Sequence, residues 1–124
     1  MYKFLFMFFV LGISTQILAQ KGTAKVLWSE KELNTEAKKG HFQWVLPAEI
    51  DSVQVNSTAK YYVQSFTYSF NQDKHTIDVF SVADSEDSRR VMLRFLGANQ
   101  IQTIAFNGIN HQLYNFYDLY MKTK

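Results

Sequence analysis

Apolar and polar residues recur with two different periods along the chain, and each period predicts one type of element. Alternation with a period of two, which is typical of strands buried on one side, marks four segments. These segments are Phe42–Leu46, Phe66–Phe70, Thr76–Val82 and Ile101–Phe106. A period near 3.6, which is typical of amphipathic helices, marks three longer segments. These are Ser52–Ser65, Ser85–Ala98 and Leu113–Met121.

A further short helix is predicted over Ser29–Lys39 from the residues at its two ends. Ser29 and Glu32 have the spacing of a capping box, in which each side chain accepts a hydrogen bond from the backbone N–H of the other residue. Two lysines suit the negative C-terminal end of a helix, and Gly40 favours its termination. The apolar stripe of this segment is thin, so we expect the helix to lie on the surface.

The order of these elements predicts an α+β fold: a helix, then β-α-β-β-α-β, then a second helix. The central six elements have the order of the ferredoxin-like fold, a split β-α-β-β-α-β arrangement. We therefore expect a four-stranded antiparallel sheet with two helices on one face. The N-terminal and C-terminal helices are expected to cover part of the other face. A single proline and five glycines form no linker, so residues 20–124 are predicted to be one small domain.

The first nineteen residues have the pattern of a secretory signal peptide. Lys3 supplies the positive charge, Phe4–Leu11 is an unbroken apolar run, and Ala19 is a small residue at the expected cleavage position. The apolar run is well short of the roughly 20 residues that a membrane-spanning helix needs. We therefore predict cleavage after Ala19 and export of the chain to the periplasm or the exterior, with no membrane span left after cleavage.

The composition excludes several classes of function. The chain has no cysteine, so it has no disulfide, zinc-thiolate site, iron–sulfur cluster or cysteine nucleophile. A net charge of +2 is too small to favour nucleic acid as a partner. The element order resembles that of heavy-metal-associated domains, but the corresponding loop, Pro47–Val53, lacks their Cys-x-x-Cys pair. The resemblance is one of element order, and it implies no copper transfer here.

The remaining polar residues do not form a recognisable catalytic or metal-binding motif. His41, His75 and His111 are far apart in the sequence and lack the spacing of metal ligands. The acidic residues near position 85 lack the spacing of a calcium loop, and the start of a helix explains them. No nucleophile elbow, phosphate-binding loop or dinucleotide fingerprint is present. We therefore predict a protein without a cofactor, without a bound metal and without enzymatic activity.

The candidate binding residues are the three arginines of the chain, which all lie within six positions: Arg89, Arg90 and Arg94. Arg90 and Arg94 are one helical turn apart, so they share a face that suits a carboxylate, a phosphate or an acidic partner. The alternative is an ordinary solvated face on which Glu86 pairs with Arg90 at a spacing of four residues.

The function predicted from these features is a small secreted binding or accessory domain whose partner is another protein or a small anionic ligand. Two alternatives stay open. One is a dimeric α+β-barrel enzyme or ligand-binding protein, in which two open sheets enclose a pocket. The other is a structural or assembly protein that adds partners along the edge of its sheet. The sequence does not distinguish a monomer from a dimer.

Overall fold

The computed structural model describes residues 22–123, and these residues form an α+β fold with a mixed six-stranded sheet and four helices. The strands are β1 (Thr23–Lys25), β2 (His41–Val45), β3 (Phe66–Asn71), β4 (Thr76–Ser81), β5 (Thr103–Phe106) and β6 (Ile109–Gln112). The helices are α1 (Glu30–Ala37), α2 (Ser52–Ala59), α3 (Glu86–Ala98) and α4 (Leu113–Phe116). A 3₁₀ turn, Lys60–Tyr62, follows α2, and a π-helical turn, Tyr117–Met121, continues α4. The predicted signal peptide lies outside the described residues.

The order of strands in the sheet is β3-β4-β2-β1-β5-β6. The four predicted strands keep the relative order of the ferredoxin-like arrangement, but β1 is inserted between β2 and β5. β1 is antiparallel to β2 and parallel to β5, so the sheet is mixed. The prediction of four antiparallel strands in a ferredoxin-like sheet is therefore not matched. β1 is absent from the predicted elements because three residues are too few to establish a period.

Local signals explain where the helices begin and end. Ser29 and Glu32 form the predicted capping box at the start of α1. The side chain of Ser85 caps α3 by accepting a hydrogen bond from the backbone N–H of Ser88. Gly40 ends the turn after α1 with a φ of +75°, a conformation that favours glycine. A Cβ at this position would also come within 3.0 Å of the Cβ of Ser81, so the turn packs closely against β4.

The helices lie together on one face of the sheet, where they bury the alternate apolar residues of the strands. The largest of the fully buried side chains are Trp44, Phe42, Phe66, Phe95, Phe106 and Phe116. The C-terminal segment packs on this same face, because the ring centre of Phe106 lies 6.1 Å from that of Phe116 and 4.9 Å from that of Tyr120. The expectation that the C-terminal helix covers the other face is therefore wrong, because its apolar residues are used in the core instead. Of the two ends of the described chain, only the start reaches that face, where Glu36 of α1 and the ring of Trp28 contact His41.

The second face of the sheet is polar, which explains why it needs no cover. Alternation along the strands directs a set of small polar residues to this face. They include Thr23, Gln43, Thr67, Ser69, Thr76, Asp78 and Thr103. Phe80 is the one large aromatic among the β3 and β4 residues on this side, and it is 43% exposed. An open face of this composition is stable in water.

Candidate functional site

Arg89 is buried, although it belongs to the predicted cluster of three arginines. It is 5% exposed, and its guanidinium lies 5.6 Å from the ring centre of Phe42 in the core. Its Nε and Nη2 atoms donate to the two carboxylate oxygens of Asp84 at 2.9 and 3.0 Å. This bidentate pair has the strong geometry that an arginine forms with a carboxylate.

The same guanidinium connects three separate elements. Nη1 donates to the backbone carbonyl of Met121 at 3.0 Å, and Nη2 donates to the carbonyl of Ala37. Both carbonyls lie at the C-terminal end of a helical segment, where a positive charge is favourable. Arg89 therefore holds α1, α3 and the C-terminal turn together, and it does not share a surface with Arg90 and Arg94.

Arg90 and Arg94 lie on the solvent side of α3, as the helical spacing predicts. They line a surface groove of about 320 Å³ between α3 and the C-terminal segment. We call this groove the basic groove; its residues are Arg90, Leu93, Arg94, Tyr114, Tyr117, Asp118 and Lys122. Three cations and one carboxylate, Asp118, therefore line the groove, and a second carboxylate, that of Glu86, lies 3.9 Å from Arg90. Among the ion pairs of residues 22–123, none involves Arg94 or Lys122, so these two charges are available to a ligand.

The wall of the basic groove is fixed by Glu86. The carboxylate of Glu86 accepts hydrogen bonds from the hydroxyls of Tyr117 and Thr123. These bonds lower the pKa of Glu86, and the bond from Thr123 has the larger effect of the two. The pKa of Tyr117 is raised. Burial of its side chain is the larger cause, and the bond to Glu86 is the second. The nearest distance from Glu86 to Arg90 is 3.9 Å, so the predicted ion pair forms only loosely.

Aromatic surface adjoins these cations. Tyr114 is 78% exposed at the groove, whereas Tyr117 is buried beside it. The bond with the hydroxyl of Tyr117 is the main cause of the raised pKa of Arg90. An arginine is charged at any physiological pH even without this shift. The groove thus presents fixed positive charge beside one free aromatic ring. The sequence near the arginines does not indicate that Tyr114 and Lys122 join them, because the groove forms only when the C-terminal segment packs on α3.

A second polar cluster, which sequence reasoning missed, surrounds His41 at the open face of the sheet. The ring nitrogens of His41 lie 3.2 Å from Glu36 Oε1 and 2.7 Å from Asp78 Oδ1. Both bonds form at once only when the imidazole carries two protons, because ionised carboxylates accept and do not donate. Bonds with Lys39 and His41 lower the pKa of Glu36, and the bond from Lys39 has the larger effect. Gln43 also donates to Asp78 at 3.0 Å.

Packing restricts what the His41 cluster can do. The imidazole side chain is 15% exposed, and it stacks on Phe80 with ring centres 4.2 Å apart. Trp28 covers its edge at 5.0 Å. Both nitrogens are already occupied by carboxylates, so the ring has no free position for a substrate or metal. The cluster instead fastens the end of α1 to β2 and β4. His41 is thus largely enclosed by its neighbours, although it lies at the start of a strand.

Within residues 22–123, no group of three or more histidine or acidic side chains is arranged to hold a metal ion. In the same range, no helix combines the length and apolar character needed to cross a membrane. No protein-family model, curated protein or solved structure matches this chain. Any assignment of function therefore depends on the chemistry of the residues themselves.

Proposed function

We propose that this chain is a non-enzymatic binding domain, and that its basic groove takes an acidic segment of a partner protein. The observation that carries the proposal is the placement of Arg90, Arg94 and Lys122 around one groove that a single carboxylate, Asp118, lines. The Glu86 carboxylate near Arg90 is already bonded to Tyr117 and Thr123. Arginine guanidinium groups bind carboxylates with paired, directional hydrogen bonds, so an acidic side chain is the natural ligand.

The aromatic wall favours a peptide over a free small anion. Arginine and tyrosine are enriched at protein interfaces, and they supply much of the binding energy where they occur together. Tyr114 offers a large exposed ring that a bare anion would leave unused. The groove lies at the surface between α3 and the C-terminal segment, and such an open site suits a segment of a partner protein better than the enclosed pockets that hold small molecules.

The chemistry of the described residues supports a role without catalysis. The histidine that has acidic neighbours, His41, is saturated by Glu36 and Asp78, and it lies outside the basic groove. The groove has no histidine and no serine or threonine next to a base. The polar open face of the sheet also gives little support to a barrel of two sheets around an apolar pocket. Binding is therefore the function that the geometry favours.

The proposal is tested with two defined peptides and four forms of the protein. The peptides are acetylated tetraglutamate and acetylated tetraglutamine, and binding is followed by NMR titration of ¹⁵N-labelled protein. We expect tetraglutamate alone to shift the resonances of Tyr114 and of the guanidinium groups of Arg90 and Arg94. The variant Arg90→Gln/Arg94→Gln should bind at least about tenfold more weakly, because two charge-assisted hydrogen-bond partners are lost.

The matched control is Lys31→Gln/Lys60→Gln, which removes the same charge from exposed lysines outside the groove. The fourth form is Tyr114→Ala, which should weaken binding less than the arginine double variant does. Equal weakening by the lysine and arginine variants would mean that only the net charge matters, and would contradict the proposal. If inorganic phosphate shifts the same resonances and binds more tightly than tetraglutamate, the ligand is a small anion and the proposed acidic peptide is rejected.

Export is part of the proposed function, and it rests on the pattern of residues 1–19. We propose that the chain is cut after Ala19 and acts outside the cytoplasm. N-terminal sequencing of the protein from its own host tests this directly. A chain that begins at Gln20 is expected, and a chain that keeps Met1 would overturn the proposal.

A further inference from the structure

The outer edge of β3 lacks the features that usually keep a sheet edge from pairing. β3 lies at one edge of the sheet, and within residues 22–123 its only strand neighbour is β4. Edge strands are ordinarily short, bent by a bulge, or protected by lysine or proline. β3 has six residues, FTYSFN, without a charge, a proline or a glycine. Its ladder with β4 is continuous over six residue pairs, so no bulge bends it away.

The backbone groups that face outward can be identified from the ladder. The N–H of Val82 donates to the carbonyl of Ser65, and bonded pairs alternate along an antiparallel ladder. Positions 65, 67, 69 and 71 therefore bond to β4. The N–H and C=O groups of Phe66, Tyr68 and Phe70 point away from the sheet. Three donors and three acceptors thus form a row that has no strand partner within residues 22–123.

We infer that this edge pairs with β3 of a second copy of the chain. The pairing is antiparallel, and a twofold axis passes beside Tyr68. Phe66 of each copy then faces Phe70 of the other, and the two Tyr68 residues face each other. This register uses every outward group, gives six backbone hydrogen bonds and makes one twelve-stranded sheet.

The side chains along the edge are compatible with this symmetry. On the open face, Thr67 of one copy lies opposite Ser69 of the other, so hydroxyl groups meet and no like charges do. On the helical face, Tyr68 is fixed through its hydroxyl bond to Asn56 of α2. Val53 lies one turn before Asn56 on the same side of α2, and it is 70% exposed. Pairing of the edges brings this apolar side chain toward the second copy.

The opposite edge of the sheet is less suited to such pairing. β6 has four residues and belongs to a tight hairpin through Asn107 and Gly108. A short edge strand offers fewer bonds and is one of the ordinary protections against association. The inference therefore concerns β3 alone, and it does not depend on the basic groove, which β3 does not line.

Two double variants on the exposed side of β3 test the register itself. Thr67→Lys/Ser69→Lys places like charges opposite each other twice across the proposed axis. Thr67→Glu/Ser69→Lys places opposite charges there, and in both variants the lysine introduced in place of Ser69 stays beside Asp78 of its own chain. Thr67 and Ser69 are exposed, so both variants should keep their far-UV circular dichroism and melting temperature close to the parent.

Sedimentation equilibrium of the purified full chain then gives the dissociation constants. We expect a dimer for the parent, a roughly tenfold or greater rise in Kd for the lysine pair, and dimerisation at least as tight as the parent for the Glu/Lys pair. Asn110→Lys/Gln112→Lys on β6 is the control and should not change Kd. Any of three outcomes would overturn the inference. The parent could stay monomeric at about 1 mM, a concentration that detects even weak pairing. The two β3 variants could have equal Kd values, or the β6 variant could dissociate the dimer.

Amide exchange supplies a second readout that is specific to the bonded groups. Exchange at Phe66, Tyr68 and Phe70 should slow as the protein concentration rises, whereas Thr67 and Ser69 are already bonded to β4 and should change little. Uniform slowing across all five amides, or no slowing at the three outward ones, would contradict the proposed pairing.

Discussion

The two sides of α3 show how differently the same residue type can be used within one helix. On the inner side, Arg89 is enclosed by Asp84 and two backbone carbonyls. On the outer side, Arg94 lines an open groove and takes part in none of the ion pairs of residues 22–123. The inner arginine has its charge neutralised by the fold, whereas the outer one keeps its charge for a partner. Burial and pairing, more than proximity in the sequence, therefore determine which of these arginines stabilises the fold and which can bind a partner.

This comparison also separates two kinds of positive charge in energetic terms. Removing one member of a buried, hydrogen-bonded charge pair is strongly destabilising, because the remaining groups lose their partners without regaining water. Removing an exposed charge that has no partner costs little stability. The same substitution should therefore affect different properties on the two sides of α3. On the inner side it should lower stability, and on the outer side it should weaken binding.

The largest effect is expected for Arg89→Ala. We expect a loss of about 3 kcal/mol in the free energy of unfolding, since two carbonyls and the Asp84 carboxylate lose their donor. The value is at the lower end for such pairs because Asp84 is 35% exposed and can be partly hydrated. Urea denaturation measures this loss. Arg89→Lys keeps the charge but not the forked geometry, so it should fall between the parent and the alanine variant. A stability equal to that of Arg94→Ala would contradict the structural role of Arg89.

An intermediate effect is expected from Glu86, which joins the two sides by holding the C-terminal segment against α3. Its pKa is lowered below the ordinary value of 4.5 by Thr123 and Tyr117, so the ionised form stabilises the fold. That contribution is complete above pH 4.5 and is lost as the pH falls through the lower pKa of the folded state. Glu86→Gln should therefore melt below the parent at neutral pH, and the gap should close in acid. A gap that stays constant from neutral pH down to about pH 3 would show that the charge is unimportant.

The smallest effect on stability is expected for Arg94→Ala, on the outer side. Its free energy of unfolding should differ from that of the parent by less than about 1 kcal/mol, because the side chain is exposed and takes part in no ion pair of the described chain. Urea denaturation beside Arg89→Ala provides the direct comparison. A loss as large as that of Arg89→Ala would mean that the basic groove is part of the folding core and would remove the basis for calling it a binding surface.

The elements that could be predicted from the sequence are those in which one side is buried. Phe42 and Trp44 lie on either side of Gln43, and both aromatic side chains pack under the helices as expected. β6 is not among the predicted strands, although Asn107 and Gly108, both with positive φ, form the turn that begins it. An Asn-Gly pair is a strong hairpin signal, but the residues that follow it lie at an exposed edge and show no alternation. Edges and very short strands depend on tertiary pairing, which a local pattern does not contain.

The candidate site was predictable in part for the same reason. Arg89 has the spacing of the apolar stripe, three residues before Met92 and seven before Leu96, and this periodicity could have placed it inside. Arg90 and Arg94 have the spacing of the outer face, and they lie there. Lys122 joins them only because the chain returns to α3 after β6, and no feature of the sequence near the arginines indicates that return.

The insertion of β1 has a consequence for how the protein folds. Thr23 is bonded to Thr103, and these two residues are 80 positions apart. β1 alone connects the β3-β4-β2 ribbon to the β5-β6 hairpin, and it does so at the start of the described chain. Contacts of such long range form slowly, because the intervening chain must be ordered before they are gained. β1, the first of the described strands, can pair with β2 early, since Lys25 lies opposite Val45. Its parallel pairing with β5 must wait for Thr103–Phe106, so the sheet becomes continuous only after nearly all of its other residues have been made.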